Sequence, residues 1–598
     1  MVHSLYKISN RGEKCMINLK NDEMATVFIP TGTEFYGYRY LGFHIVPDNR
    51  GEKYAVFRVF APNAKNVFLV GDFNGWQETH PMERKENGIF EIFLSASILH
   101  HGQNYKYKIT TSDGRQLYKA DPYAVFCESS PATASKIFLS APYVWQDDGY
   151  IKNRKRLFAE RGRYIPLNIY KLLPASWKGC GTYKALSDEL IPYLKQMGYT
   201  HVMLSAVTNS AYVDGQYPGI SSFFVPATGM GDPDCFRGFV DALHRAGLGV
   251  ILEGAPSHFS KCEQGLWRFD GTPIFEGEQP DESEDAPFDL GSKSVRSFLL
   301  SNAMFWIDEY HVDGLSCDLS QHLASNREDD VLSFFAQLND GIHSEYPDII
   351  TIAKARLAID GITDSVQSGG LGFSFARDRR LENEILSACD LAGAKLSHSA
   401  EHGICALSDN ESFVGRLRCD SEERFAMSRL LLFCMMLSDS KKLTFSGSEI
   451  GWLGKGENGV DWGCLFGDNS LHKKHQLFVR DIGALYLSSP VLWEEGNVTQ
   501  KSICGYAASL SRIYSVCGAY KEMIAVINFG KQTISDAKIE TGSAAGYKKI
   551  FSSALSVYGG CEEKDDTLFF AKSENGKNYI KTELSPLSAY VFENADDG

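Results

Sequence analysis

The sequence predicts an α/β protein: a TIM (β/α)8 barrel preceded by an antiparallel β-sandwich and followed by a second strand-rich segment. Three observations carry this. Eight apolar runs, NIYKLLP, HVMLSAV, GVILEGA, GLSCDL, IITIAK, GGLGFSF, GICALSD and KKLTFSGS, alternate with amphipathic stretches. Eight strand–helix units in about 310 residues are what a closed parallel barrel requires. Before them, Tyr54 to Tyr123 reads as short alternating aromatic strands (YAVFRVFAP, NVFLVGDFNGW, GIFEIFL, YKYKITTSDGR) broken by Pro, Asn and Gly turns, the spacing of an antiparallel sandwich. After them, MIAVINFG, KKIFSSALSVYGG and LSPLSAYVF return to strand alternation.

The 598 residues hold three or four domains at about 100–200 residues each. We divide them into an N-terminal segment (1–40), the first sandwich (41–145), the barrel (146–488) and the C-terminal β domain (489–598). Between sandwich and barrel lies a basic linker, Lys152 to Arg163. Within the barrel, DPDCFRGFVDALHRAGL (Asp232 to Leu248) carries apolar residues at i, i+3/i+4 spacing and a closing Gly, as an outer helix should.

Composition excludes several classes. A net charge of −15 argues against a nucleic-acid partner, because phosphate recognition needs clustered Lys and Arg. The 14 cysteines lack any CxxC pair or metal-type Cys/His spacing and read as reduced, mostly buried thiols, so no metal site is expected. The start, MVHSLYKISNRGEKCM, has no apolar signal core, and no stretch approaches a membrane span. A cytoplasmic protein with a neutral partner is the expectation.

Longer motifs sharpen this. FRVFAPNAKNVFLVGDFNGW (Phe57 to Trp76) and KADPYA (Lys119 to Ala124) resemble the family 48 carbohydrate-binding module. The strand-end segments VILEGAPSH (Val250 to His258), GLSCDLS (Gly314 to Ser320), TIAKA (Thr351 to Ala355) and ALSDNE (Ala406 to Glu411) resemble, in order, the four signature segments of the α-amylase superfamily, glycoside hydrolase family 13. The flanks, including HKKHQLFVRDIGALYLSSPVLW (His472 to Trp493), narrow the resemblance to the 1,4-α-glucan (glycogen) branching enzymes. It runs from about Gly37 to Phe592 and implies a C-terminal β-sandwich.

That resemblance implies a retaining site, which needs two carboxyl groups about 5–5.5 Å apart, one a nucleophile and one a general acid and base. It implies chemistry by carboxylates alone, with no cofactor. The family's nucleophile falls on Asp318, and the Arg two residues before it falls on Ser316, whose neutral hydroxyl supplies no fixed cation. The acid/base Glu after T-I-A falls on Lys354. An ammonium is a poor proton donor to a leaving alcohol at neutral pH and has the wrong charge for a base; at this position it is expected to pair with Asp318. The family's His-Asp pair falls on Asp409 and Asn410, removing the third carboxylate. The first segment has Glu253 for the family's Asp and keeps its His as His258. A sugar-stacking Tyr falls on Pro218, or on Tyr217 with a one-residue shift, and Trp76 is a stacking candidate on the N-terminal module, set against packing of a hairpin corner. The connection from Asp318 to Thr351 lacks the family's Tyr- and Trp-bearing loop, and the stretch after Glu411 is trimmed.

The expected function is therefore a branching-enzyme-like protein, catalytically impaired, that binds α-1,4-glucan such as glycogen or a starch-like polymer, with other proteins of glycogen metabolism as partners. The alternative is an active 1,4-α-glucan branching enzyme using Asp318 as nucleophile with Glu253 or Glu411 recruited as acid. A barrel protein without any glucan role is the third reading.

Overall fold

In the computed structural model the described residues are 32–595, except 48–50, 206, 211–219, 278–283, 356–358, 389–401, 408–420, 453–459, 468–469, 495–497, 517–518 and 544–545. They divide into two compact units, Met1–Pro142 with Thr208–Thr228 and His258–Phe305, and Tyr143–Val207 with Gly229–Ser257 and Trp306–Gly598.

The first unit contains the expected antiparallel sandwich. One sheet orders Gly42–Pro47, Lys53–Phe60, Ile89–Ser95 and Glu83–Arg84; the other orders Asn66–Gly71, Asn104–Thr110 and Gln116–Lys119, with Ser135–Lys136 also on Asn104–Thr110. The alternation read from NYKYKIT is realised, with Tyr105, Tyr107 and Ile109 buried and their neighbours half-exposed. Tyr105 and Tyr107 donate to buried Asp121 at 2.8 and 3.0 Å, and burial pushes that carboxyl up to about 6. Lys119, equally buried, donates to the carbonyls of Glu263 (2.5 Å) and Trp267 (2.6 Å), tying residues from beyond the sandwich into the same unit.

The second unit is built on a closed parallel barrel whose eight strands, Asn168–Leu172, His201–Leu204, Gly249–Glu253, Gly314–Asp318, Ile350–Lys354, Phe375–Arg377, Gly403–Cys405 and Lys441–Phe445, pair in sequence order. Seven of them lie within the apolar runs read from the sequence, while the sixth, Phe375–Arg377, begins at the last residue of GGLGFSF. Because strand side chains alternate, every second residue faces the lumen. Leu167, Ile169, Met203, Ile251, Ile350, Ile352, Phe375, Ile404, Ala406 and Leu443 pack there as one buried plug. Full burial of each large aliphatic contributes about 1.5–3 kcal/mol. The helix foreseen after the second strand is Pro233–Arg245; Asp232 caps it by accepting from the Cys235 amide at 2.8 Å, and Gly247 at φ 80° turns the chain out.

The basic linker proves to be a helix, Asp148–Arg161, with no buried residue along it. It is held by Arg154, which bridges Asp313 (2.5 Å) and Asp348 (2.7 Å) at the starts of the fourth and fifth strands. Asp313 also accepts from His244 Nε2 at 2.9 Å, and His244 Nδ1 reaches Asp147 at 2.9 Å, completing a buried charged chain.

The C-terminal β domain pairs a six-stranded sheet (Val498–Cys504, Ala507–Val516, Ala519–Asn528, Ser588–Asn594, Gly546–Ser552, Leu568–Phe570) with a three-stranded one (Ile534–Thr541, Lys577–Leu584, Lys572–Glu574). Ile524, Val526, Ile539, Tyr547, Ile580, Tyr590 and Phe592 fill the space between them. Among the described residues no helix is long and apolar enough to cross a membrane.

Candidate active site

The period-2 alternation that fills the barrel with aliphatic side chains also dictates what stands above them. Two residues beyond Ile169, Ile251, Ile352, Phe375 and Leu443 come Lys171, Glu253, Lys354, Arg377 and Phe445. With Ser316 they line a cavity at the C-terminal ends of the strands. Barrel enzymes place their chemistry at this end. The cavity measures about 30 Å3, room for a water molecule or two.

Strand register sets the electrostatics. Ser316 lies beside Glu253 on one side and Ile352 on the other, and Asp318 lies beside Lys354. The Lys354 ammonium sits 3.0 Å from Asp318 Oδ2, the pairing expected from the sequence. The other oxygen, Oδ1, accepts the Gln321 amide at 3.3 Å, because Asp318 is also the N-cap of the short helix Leu319–Leu323 that starts where the strand stops. Both oxygens of Asp318 are therefore engaged. Glu253 is held by Lys171 at 2.5 Å, and the same ammonium lies 5.0 Å from the centre of the Phe445 ring. Arg377 is gripped by Glu382, Nε to Oε1 at 2.7 Å and a terminal nitrogen to Oε2 at 3.1 Å, and also donates to the Ala406 carbonyl at 3.0 Å.

Among the described residues the mouth carries the cations Lys171, Lys354 and Arg377, each against a carboxylate. Such an array binds hydroxyl groups through its N–H and carboxylate oxygens. Among the described residues, Asp318, Glu253 and Glu382 each face one of these cations, whereas acid/base cleavage of a glycosidic bond uses two carboxyl groups.

The structure brings together Asp318, Lys354, Ser316 and Glu253. His258 lies in the first unit, on the strand His258–Ser260 that pairs with Asp285–Pro287; burial lowers its pKa while Asp285 opposes that shift. Tyr217, Pro218, Asp409, Asn410 and Glu411 lie outside the described residues. Trp76 follows the strand Asn66–Gly71 at φ 63°, is 38% exposed, and donates from its indole to Asp72 at 3.0 Å, leaving part of a ring face on the surface of the module. Sequence reasoning missed Lys171, Arg377 and Phe445. Their signal was a single polar or aromatic residue at the end of an apolar strand, two places past a core aliphatic.

Comparison with known proteins agrees with this fold. Residues 40–124 match the family Carbohydrate-binding module 48 (Isoamylase N-terminal domain), and residues 511–595 match Alpha amylase, C-terminal all-beta domain. The chain is 32% identical over 581 residues to the 1,4-alpha-glucan branching enzyme GlgB of Desulfitobacterium hafniense (strain Y51), covering 88% of this chain and 90% of that protein. Similarity to the enzyme of the same name from Bacillus caldolyticus is 32% over 629 residues, covering 96% and 92%. Among solved structures, the pullulanase from Bacillus acidopullulyticus superposes with a TM-score of 0.67 at 16% identity, covering 94% of this chain and 75% of that one, a likeness of fold. With a barrel of this topology, the module before it and similarity along nearly its whole length, the chain belongs to the 1,4-alpha-glucan branching enzyme family.

Proposed function

We propose that this protein is a branching-enzyme relative that binds α-1,4-glucan and does not transfer it. The observation that carries this reading is the Lys354–Asp318 pair at 3.0 Å. In the family's motif the two positions hold the acid/base Glu and the nucleophilic Asp. Here the first is a cation and the second has one oxygen on that cation and the other on a helix cap. Loss of general acid/base help alone costs about 10²–10⁴ in rate, and Ser316 and Asn410 remove two further groups from the same catalytic unit.

An unconventional acid is disfavoured by the same geometry. Of the two recruits foreseen from the sequence, Glu253 is committed to Lys171, and Glu411 lies outside the described residues. What supports glucan binding is the module over residues 40–124 and the partly exposed Trp76 on it. Sugar rings stack on such faces through their apolar C–H surfaces. We place the protein in the cytoplasm, on glycogen, among the other proteins of glycogen metabolism.

Affinity electrophoresis of the full chain through gels containing glycogen or amylopectin tests the binding half. The expected result is retardation that Trp76→Ala weakens several-fold. Migration unchanged by either polymer would contradict the proposal and favour a barrel without a glucan role.

A further inference from the structure

Three aromatic rings of the second unit converge on one ammonium that the site does not use. Lys178 Nζ lies 4.8 Å from the ring centre of Trp177, 5.1 Å from that of Tyr193 and 5.0 Å from that of Trp462. The rings stand steeply to one another, at 61°, 67° and 88°, with centres 5.6–5.9 Å apart, and so surround the cation from three sides. Lys178 is solvent-exposed, and among the described residues it makes no ion pair, so the three rings are the protein groups its charge meets.

Two further observations set this apart from chance contact. Lys178 is held at φ 48°, ψ 21°, a left-handed conformation that a lysine seldom adopts. Two of the rings are also fixed in advance: the buried Trp177 indole donates to Tyr170 Oη at 3.3 Å, and Tyr193 Oη donates to the buried Glu449 at 2.8 Å. Trp177 follows the first barrel strand, Tyr193 belongs to the helix Tyr183–Met197, and Trp462 opens the short helical turn Trp462–Leu465 after the eighth strand.

We propose that Trp177, Tyr193 and Trp462 form an ammonium-binding box whose resident ligand is the chain's own Lys178, latching the segment after the first barrel strand to the one after the eighth. The latch depends on charge. Acylating the amine releases it, whereas methylation, which keeps the charge, leaves it closed.

Lys178→Gly in the full chain tests this, because glycine takes the left-handed backbone without strain and leaves the box empty. The expected result is a Tm lower by a few degrees and an altered near-UV circular dichroism spectrum, both restored by tetramethylammonium chloride. Sodium chloride at the same ionic strength and the neutral tert-butyl alcohol should leave the variant unmoved. Lys178→Arg should keep the wild-type spectrum and Lys178→Met should lose it, a comparison of two long side chains that differ in charge. A glycine variant with unchanged Tm and spectrum, no restoration by tetramethylammonium, or equal restoration by the alcohol would overturn the proposal.

Discussion

In the proposed reading, one lysine decides the chemistry available at the barrel mouth. Lys354 and Asp318 are 36% and 23% exposed, a setting in which an ion pair stabilises the fold by no more than about 1 kcal/mol. Its weight in that reading is electrostatic: an ammonium stands at the position proposed for the group that gives and takes the proton. Because catalytic groups act as a unit, we expect Lys354→Glu alone to yield no measurable branching, while Lys354→Glu combined with Ser316→Arg and Asn410→Asp yields chains detectable after debranching. Branching by the single variant, or none by the triple one, would count against this assignment. Asp318, Ser316, Lys354 and Glu253 were legible as candidates because each sits at a fixed offset in a motif. Lys171 and Arg377 were harder to read, since their mark in NIYKL and FAR is one cation two places past a core residue, with no motif to say that it looks into the lumen. Only closure of the barrel, which puts the first strand beside the eighth, reveals that.

At the scale of elements, the eight strands were readable because aliphatic alternation and breaking glycines agree with one another. The linker helix Asp148–Arg161 was not, since a helix polar on all sides lacks the apolar stripe that marks one in sequence. What fixes it is a buried chain of charges joining residues far apart: Asp147, His244, Asp313, Arg154 and Asp348, with His311 on Asp147 at 2.8 Å and the Tyr150 ring stacked on His244 at 4.3 Å. Burial pulls the His244 pKa down, but Asp313 and Asp147 on its two nitrogens outweigh that and bring it up to about 9. A histidine raised on folding contributes its full stability below its unfolded pKa near 6.5 and loses it as pH rises through the folded value. Asp313 is held well below the usual carboxylate range; burial opposes this, and His244 and Arg154 prevail, so its contribution is present above about pH 4 and is lost only in stronger acid. His244→Gln should therefore lower stability by about 3 kcal/mol near pH 6 and far less near pH 10, measured by urea unfolding at both. An equal loss at the two pH values would show that His244 acts as a neutral packing group.

Over the whole molecule, the order of sandwich, barrel and C-terminal β domain follows the sequence pattern. The clustering of residues 208–228 and 258–305 with the first unit does not, because it depends on long-range contacts such as Lys119 with the carbonyls of Glu263 and Trp267, which no local pattern announces. A chain of net charge −15 that binds a neutral polymer by stacking and hydroxyl hydrogen bonds releases no counterions. Glycogen affinity should accordingly change less than about threefold between low and high salt, as read by affinity electrophoresis, whereas a steep loss would reveal an electrostatic partner instead.

The most direct test of the central claim is a branching assay on amylose with the purified full chain, counting transferred chains after debranching, beside Asp318→Ala. We predict no α-1,6 chains above the Asp318→Ala background. New chains that vanish in that variant would show that Asp318 is a working nucleophile despite Lys354, and the account of a silent site would be wrong.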